Sequence, residues 1–367
     1  MAPDTFMVNP IYLMKRYLIL ILLTYLVIVI FLFGPRLMAQ GFPNGDSAAL
    51  YLKLAQVDKQ NGRRLDLLKN LDKALTFQTQ DPTTLRELAA LLVSQRKYAS
   101  AWELYDRAVT LTPRDTALLR QSIQLAFQLR QHESVIRLAA LYKKADPKAA
   151  VDYYLGKVYY EQEDYGKAIQ SLTQASVQNP TLAEIPYLLA KSYADMTNFK
   201  GAIPFFVKAL QLDPNQPQWT YELGLSYYAI HDDANALTYI QRAAAIGYKK
   251  DNDYLENLAI AYLNVGQFDQ GIGILKQALG RRPGDFNLLN LLAEAHYDQG
   301  KYTDAIQYWD RILEQDKASA SSLYMIGMCY QKMGGDNMDK GVKLCDRAIE
   351  MDPSLSNLKQ KKMIAGL

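Results

Sequence analysis

A chain of 367 residues with 49% hydrophobic residues has the material for a sizeable core, in two or three ordinary domains or in one long repeat array. The formal charge is +3, but Lys15, Arg16 and Arg36 face only Asp4 in the first 39 residues, so the remainder holds 38 basic and 37 acidic residues. A body this close to neutral excludes nucleic acid as the main partner, which would require a basic face.

The chain opens on an address. Residues 17–33, YLILILLTYLVIVIFLF, are an unbroken apolar run preceded by Lys15-Arg16 and followed by Gly34-Pro35. A basic start, an apolar middle and a small residue before a polar stretch describe a secretory signal over residues 1–39, with cleavage after Ala39. Leu37 is larger than the residue preferred two places before such a cut. The run is also just long enough to span a bilayer, so an uncleaved anchor is the alternative. Under both readings the positive-inside rule keeps the short amino end cytoplasmic. Residues 40–367 then lie beyond the inner membrane, periplasmic or periplasm-facing. Met14 begins a conventional signal of its own and is a second candidate start.

Residues 40–47 read as a linker, rich in Gly, Pro, Asn and Asp. A repeating pair of amphipathic helices follows over residues 48–353. Its clearest copy is Thr181–Pro214, where Leu189, Ala190 and Tyr193 share one stripe and Ala202, Phe206 and Ala209 another. Thr197-Asn198 make the turn between them, and Asp213-Pro214 stops the second helix. The first unit is degenerate, with Asp58 where later units have an aromatic. The register continues through Pro113, Pro147, Pro180 and Pro214 at intervals of 34, 33 and 34 residues, then through Pro283 and Pro353 at about double that spacing. Nine units result. Residues 354–367 read as a capping helix, with Leu355 and Leu358 packing back on the last unit.

Leu155-Gly156-x-x-Tyr159, followed by Tyr165, Ala168, Ala175 and Pro180, is one nearly complete copy of a signature that recurs over about 300 residues. At this period the pattern resembles the tetratricopeptide repeat (TPR). The resemblance implies an all-α, right-handed superhelical solenoid whose first helices line a concave groove. Gly156, Ala190, Gly224, Ala259, Ala293 and Gly327 would let paired helices approach closely. On the groove the resemblance places Tyr153, Lys157 and Tyr160 from the fourth unit, Tyr187, Lys191 and Asp195 from the fifth, and Tyr221 and Tyr228 from the sixth. Tyr297 and Tyr324 follow from the eighth and ninth. Tyr159, Tyr193 and Tyr227 belong instead to the packed seam. A groove rich in tyrosine suits protein or peptide recognition. Tyr153 and Tyr187 stand where the family's two-carboxylate clamp wants lysine, which argues against chaperone-tail binding.

Sites for chemistry are not visible. The sequence shows no glycine-rich phosphate loop, no Ser-His-Asp set, no metal-ligand spacing and no cofactor motif, and His132, His231 and His296 are scattered. Glu163-Asp164 and Asp232-Asp233 read as helix caps at turns. Gly334-Gly335-Asp336-Asn337 reads as a longer turn rather than a calcium loop, and Pro204 as a local bend. Cys329 and Cys345 fall on the two helices of one unit; Cys345 occupies a packing slot, with a bridge as the alternative. The expected function is a non-catalytic scaffold or assembly factor of the cell envelope holding a protein or peptide. A glycan-associated envelope protein and self-association through terminal units are the alternatives.

Overall fold

The structure, a computed structural model, describes residues 44–77 and 79–357, and side chains from Ser47 onward. The proposed signal or anchor, Leu358 and the rest of the expected capping helix lie outside the described residues. Within them the chain forms eighteen α-helices, in nine consecutive pairs. The pairs are α1 (Asn44–Gln60) with α2 (Arg64–Thr76), α3 (Pro82–Ser94) with α4 (Tyr98–Leu111), and α5 (Thr116–Gln128) with α6 (His132–Ala145). They continue as α7 (Asp152–Glu161) and α8 (Tyr165–Gln178), α9 (Glu184–Asp195) and α10 (Phe199–Leu212), and α11 (Pro217–Ala229) and α12 (Asp233–Ala245). The last three are α13 (Asn252–Asn264) and α14 (Phe268–Arg281), α15 (Phe286–Asp298) and α16 (Tyr302–Gln315), and α17 (Ala320–Met333) and α18 (Asn337–Met351). These are the nine all-α helix pairs that the TPR resemblance implies. No strand occurs among the described residues.

Two compact units divide the chain, one ending at Tyr154 and the other beginning at Leu155. Leu85, Leu88, Leu92, Leu118, Leu119, Ile123 and Leu138 are fully buried in the first. In the second, Trp309, Phe206, Leu172 and Ile185 are the bulkiest fully buried side chains. Small residues at the helix crossings are needed for close approach, as expected. A Cβ on Gly327 would lie 2.8 Å from the Gly341 carbonyl oxygen, and one on Gly224 would lie 3.0 Å from the Ile240 nitrogen.

Within every pair the turn contains a residue with positive φ: Gly62, Arg96, Arg130, Glu163, Thr197, His231, Gly266, Gly300 and, in the ninth pair, both Gly334 and Gly335. In three of the nine pairs the helix that follows is capped by a side chain. Asp164 accepts from the Lys167 amide, Asn198 from Gly201 and Asp232 from Asn235. The acidic pairs at these turns are therefore caps, as expected. Pro204 sits inside a continuous α10. In the ninth pair Gly334 and Gly335 both take positive φ, and α18 is one residue longer than α16. The turn itself, residues 334–336, has three residues, as residues 299–301 do in the eighth pair, so the longer turn expected here does not form. The two extra residues lie in α17 and α18, each one residue longer than α15 and α16.

Two boundaries move. Asn44–Ser47, expected in the linker, already belong to α1. Small polar residues favour helix starts as much as turns, so composition could not separate the two. At the other end Pro353–Leu355 form a single 3₁₀ turn, and α-helix begins only at Ser356, continuing to the last described residue of this end, Asn357. Leu355 nevertheless packs back as expected, in a cluster with Ala320, Tyr324, Cys345 and Ala348. Cys329 and Cys345 are both buried and unbridged. No helix among the described residues is long and apolar enough to cross a membrane.

Candidate functional site

In the second unit, polar side chains link the first helices of consecutive pairs. Lys157 Nζ donates to Glu184 Oε1 at 2.7 Å, and the Tyr160 hydroxyl donates to Asp195 Oδ2 at 2.8 Å. Lys191, one turn before Asp195, reaches the other carboxylate oxygen at 3.4 Å. Towards the next pair, Tyr187 stacks on Trp219 with ring centroids 4.5 Å apart and planes 13° from parallel. Gln218 Nε2 donates to Glu222 Oε1 at 2.8 Å. The Lys157–Glu184, Tyr160–Asp195 and Tyr187–Trp219 contacts, each about one repeat apart in sequence, form a line from α7 through α9 to α11, while Lys191–Asp195 and Gln218–Glu222 lie within single helices.

Burial, then the hydrogen bond to Asp195, holds the Tyr160 phenol far above its ordinary pKa of 10.0. Burial and the Glu222 carboxylate do the same for Tyr187. Both rings therefore remain neutral hydrogen-bonding phenols at physiological pH. No cluster of three or more His, Cys, Asp or Glu able to hold a metal occurs among the described residues.

The ten expected groove residues do not share one environment, Asp195 being the carboxylate that Tyr160 and Lys191 reach. Lys157, Tyr160, Tyr187 and Lys191 are half-buried and lie on this line, while Tyr228 is 40% exposed. Tyr153 is half-buried, belongs to the first unit, and makes an edge contact with Tyr154 at 5.7 Å. Two residues require correction. Tyr221 is 5% exposed, stacks on Tyr248 at 4.1 Å and accepts a hydrogen bond from Asn257 Nδ2 at 2.7 Å. Tyr324 is 3% exposed and packs under Leu355. Both are core residues, because a neighbouring ring or the terminal turn covers a slot that is open in other pairs. Tyr297 is half-buried, edge-on to Tyr302 and Trp309. In the seam, Tyr193 stacks on Phe205 and Tyr227 on Tyr239, each at 5.4 Å, as expected.

The first unit holds hollows that the sequence reading missed. One of about 570 Å³ is lined by Gln56, Lys59, Gln60, Glu87, Ala90 and Leu91. Its neighbour, about 320 Å³, shares Ala90 and adds Val93, Tyr105, Gln121, Gln124, Leu125 and Gln128. The walls are mostly amide and aliphatic groups. A search for aromatics and charges passes over such a surface; the available signal was Gln121, Gln124 and Gln128 at helical spacing.

Two family models described as tetratricopeptide repeat match the chain, one at residues 187–251 and 257–322 and the other at residues 320–355. This chain is a tetratricopeptide repeat protein. A further model, anaphase-promoting complex (cyclosome) subunit 3, matches residues 128–209 of the TPR array. The human Superkiller complex protein 3 is 33% identical over 73 residues, which cover 20% of this chain and 5% of that protein's length. Among solved structures, the C-terminal part of a TPR protein from Cytophaga hutchinsonii aligns with a TM-score of 0.50 at 17% identity. That alignment covers 65% of this chain and 98% of the other. YrrB, a TPR protein with an unusual peptide-binding site, aligns at 22% identity and a TM-score of 0.42, covering 53% of this chain and all of YrrB. The Cytophaga structure speaks to the fold of the TPR array.

Proposed function

We propose that this TPR protein is a non-catalytic scaffold that holds a protein or peptide partner on the first helices of its repeats. In the second unit the partner meets Lys157, Tyr160, Tyr187, Lys191 and Tyr228. One observation carries the reading: phenols and ion pairs bridge successive first helices, giving a face that is polar, aromatic and already ordered before binding. Little conformational entropy is then lost on the TPR side, so modest contacts suffice for recognition. The 17–33 run supports export and either release into the periplasm or retention at the inner membrane.

A cross-linking pull-down of the full chain from envelope extract tests this, beside a variant carrying Tyr160→Ser and Tyr228→Ser. A protein captured by the parent and lost by an equally helical variant is the expected result. Equal capture by both would remove the site from this face. Retention on purified cell wall with no protein captured would favour a glycan ligand.

A further inference from the structure

We infer that the outer face of helix α1 docks onto the anionic headgroup region of the membrane entered by the apolar run. Helix α1 has two apolar faces. Ala48, Leu52 and Ala55 are buried at 0%, 4% and 0% exposure. On the opposite side Leu50, Leu54 and Val57 stand in solvent at 52%, 43% and 46%. Their i, i+4, i+7 spacing makes one stripe, with Lys53 beside it. Inside a repeat array a preceding unit covers such a stripe, and a terminal unit normally replaces it with polar residues. At the other end Leu355 performs the covering role. Here the stripe has kept its aliphatic residues.

Two further features select lipid as the occupant. The apolar run ends at Phe33, and only residues 34–43 separate it from α1. Ten residues reach at most about 35 Å, so an inserted run keeps α1 close to the membrane surface. Tethering of this kind gives an effective concentration on the order of millimolar, at which three aliphatic side chains can hold a helix at the interface. Charge agrees. Residues 44–76 carry six basic and four acidic side chains, whereas residues 77–367 carry 32 basic and 33 acidic. The first repeat is net positive, as is the third, with six basic and three acidic side chains over residues 114–147. The first, however, is the one that the ten-residue tether holds beside the lipid, where anionic headgroups attract lysine and arginine. The inference rests on the anchored reading of residues 17–33.

The test uses the full chain reconstituted in vesicles, with Leu54→Cys bearing an environment-sensitive dye. Cys329 and Cys345 are buried and leave the labelling selective. Vesicles of phosphatidylethanolamine and phosphatidylglycerol are compared with phosphatidylcholine alone, each containing lipid with a shallow quencher. Docking predicts a blue-shifted dye quenched in the anionic vesicles, with quenching at least halved in phosphatidylcholine or at about 0.5 M salt. A dye on Leu111→Cys, in the second repeat, should stay aqueous. A chain that resists alkaline extraction while the Leu54 dye stays in water would overturn the docking and leave the anchor standing. A dye shielded equally in both vesicles and untouched by the quencher would also overturn it, assigning the face to protein. Extraction of the chain at alkaline pH would remove anchor and docking together.

Discussion

At the scale of single residues, register and environment come apart. Tyr187 and Tyr221 are 34 positions apart and occupy the same slot of successive first helices. Tyr187 has one face against Trp219 and its hydroxyl by Glu222, whereas Tyr221 is enclosed by Tyr248 and Tyr254. Tyr248 stands where other repeats have proline, so a boundary residue decides whether its neighbour is surface or core. Gly327 shows the same dependence on contact. An added methyl meets Gly341 backbone, which has no side chain to move aside. Gly327→Ala should cost about 2 kcal/mol in urea denaturation.

His296 yields a prediction about pH. It is 6% exposed and stacked on Tyr308 at 5.5 Å, and burial lowers its pKa from 6.5 despite Asp304. Lys276 and Lys301 push in the same direction as burial. Below about pH 6.5 the unfolded chain therefore binds a proton that the folded chain resists, and stability falls as pH drops. His296→Phe keeps the ring and should reduce the loss of thermal stability between pH 7.5 and 5.5. An unchanged pH slope would show that other groups control it.

At the scale of elements, each helix pair is closed by a turn with positive φ, but only four of the nine pairs place glycine there. Thr197 and His231 hold φ near 60° and 61°. A β-branched residue is a poor occupant of that region, and relief of its strain exceeds the extra chain entropy of glycine. Thr197→Gly should raise stability by about 0.5 kcal/mol, and His231→Gly by less, because histidine carries no branch at Cβ. Aspartate and asparagine caps follow several of these turns, so the helix starts are secured independently of the strained residue. Repeat one replaces an aromatic seam residue with Asp58, 5% exposed, bonded to Asn70 at 2.8 Å and paired with Arg63 at 2.7 Å. Asp58→Leu removes both contacts and should change the stability of α1–α2 locally, read by hydrogen exchange of that pair.

At the scale of the whole molecule, a repeat array has stability that varies along its length, because each unit rests on its neighbours. The cluster spanning α13 to α17 includes Trp309, Leu275, Leu288, Leu289 and Leu292, all at 0% exposure. Helices α1 and α2 contribute fewer buried residues and carry Leu65 at 85% exposure. Amide hydrogen exchange should therefore be slowest in α15–α16 and at least tenfold faster in α1–α2 of the membrane-free chain.

The sequence by itself determined the repeat length, the number of units, the position of nearly every helix, the small residues at the crossings and the capping of the turns. These features depend on contacts three or four residues apart, on proline, or on a period repeated nine times, so they are written locally. Tertiary structure alone decided which tyrosines remain at the surface, where the glutamine-lined hollows lie, and that α1 keeps an exposed apolar stripe among the described residues. Those outcomes depend on what a neighbouring repeat places over a side chain, and register within one helix does not contain that information.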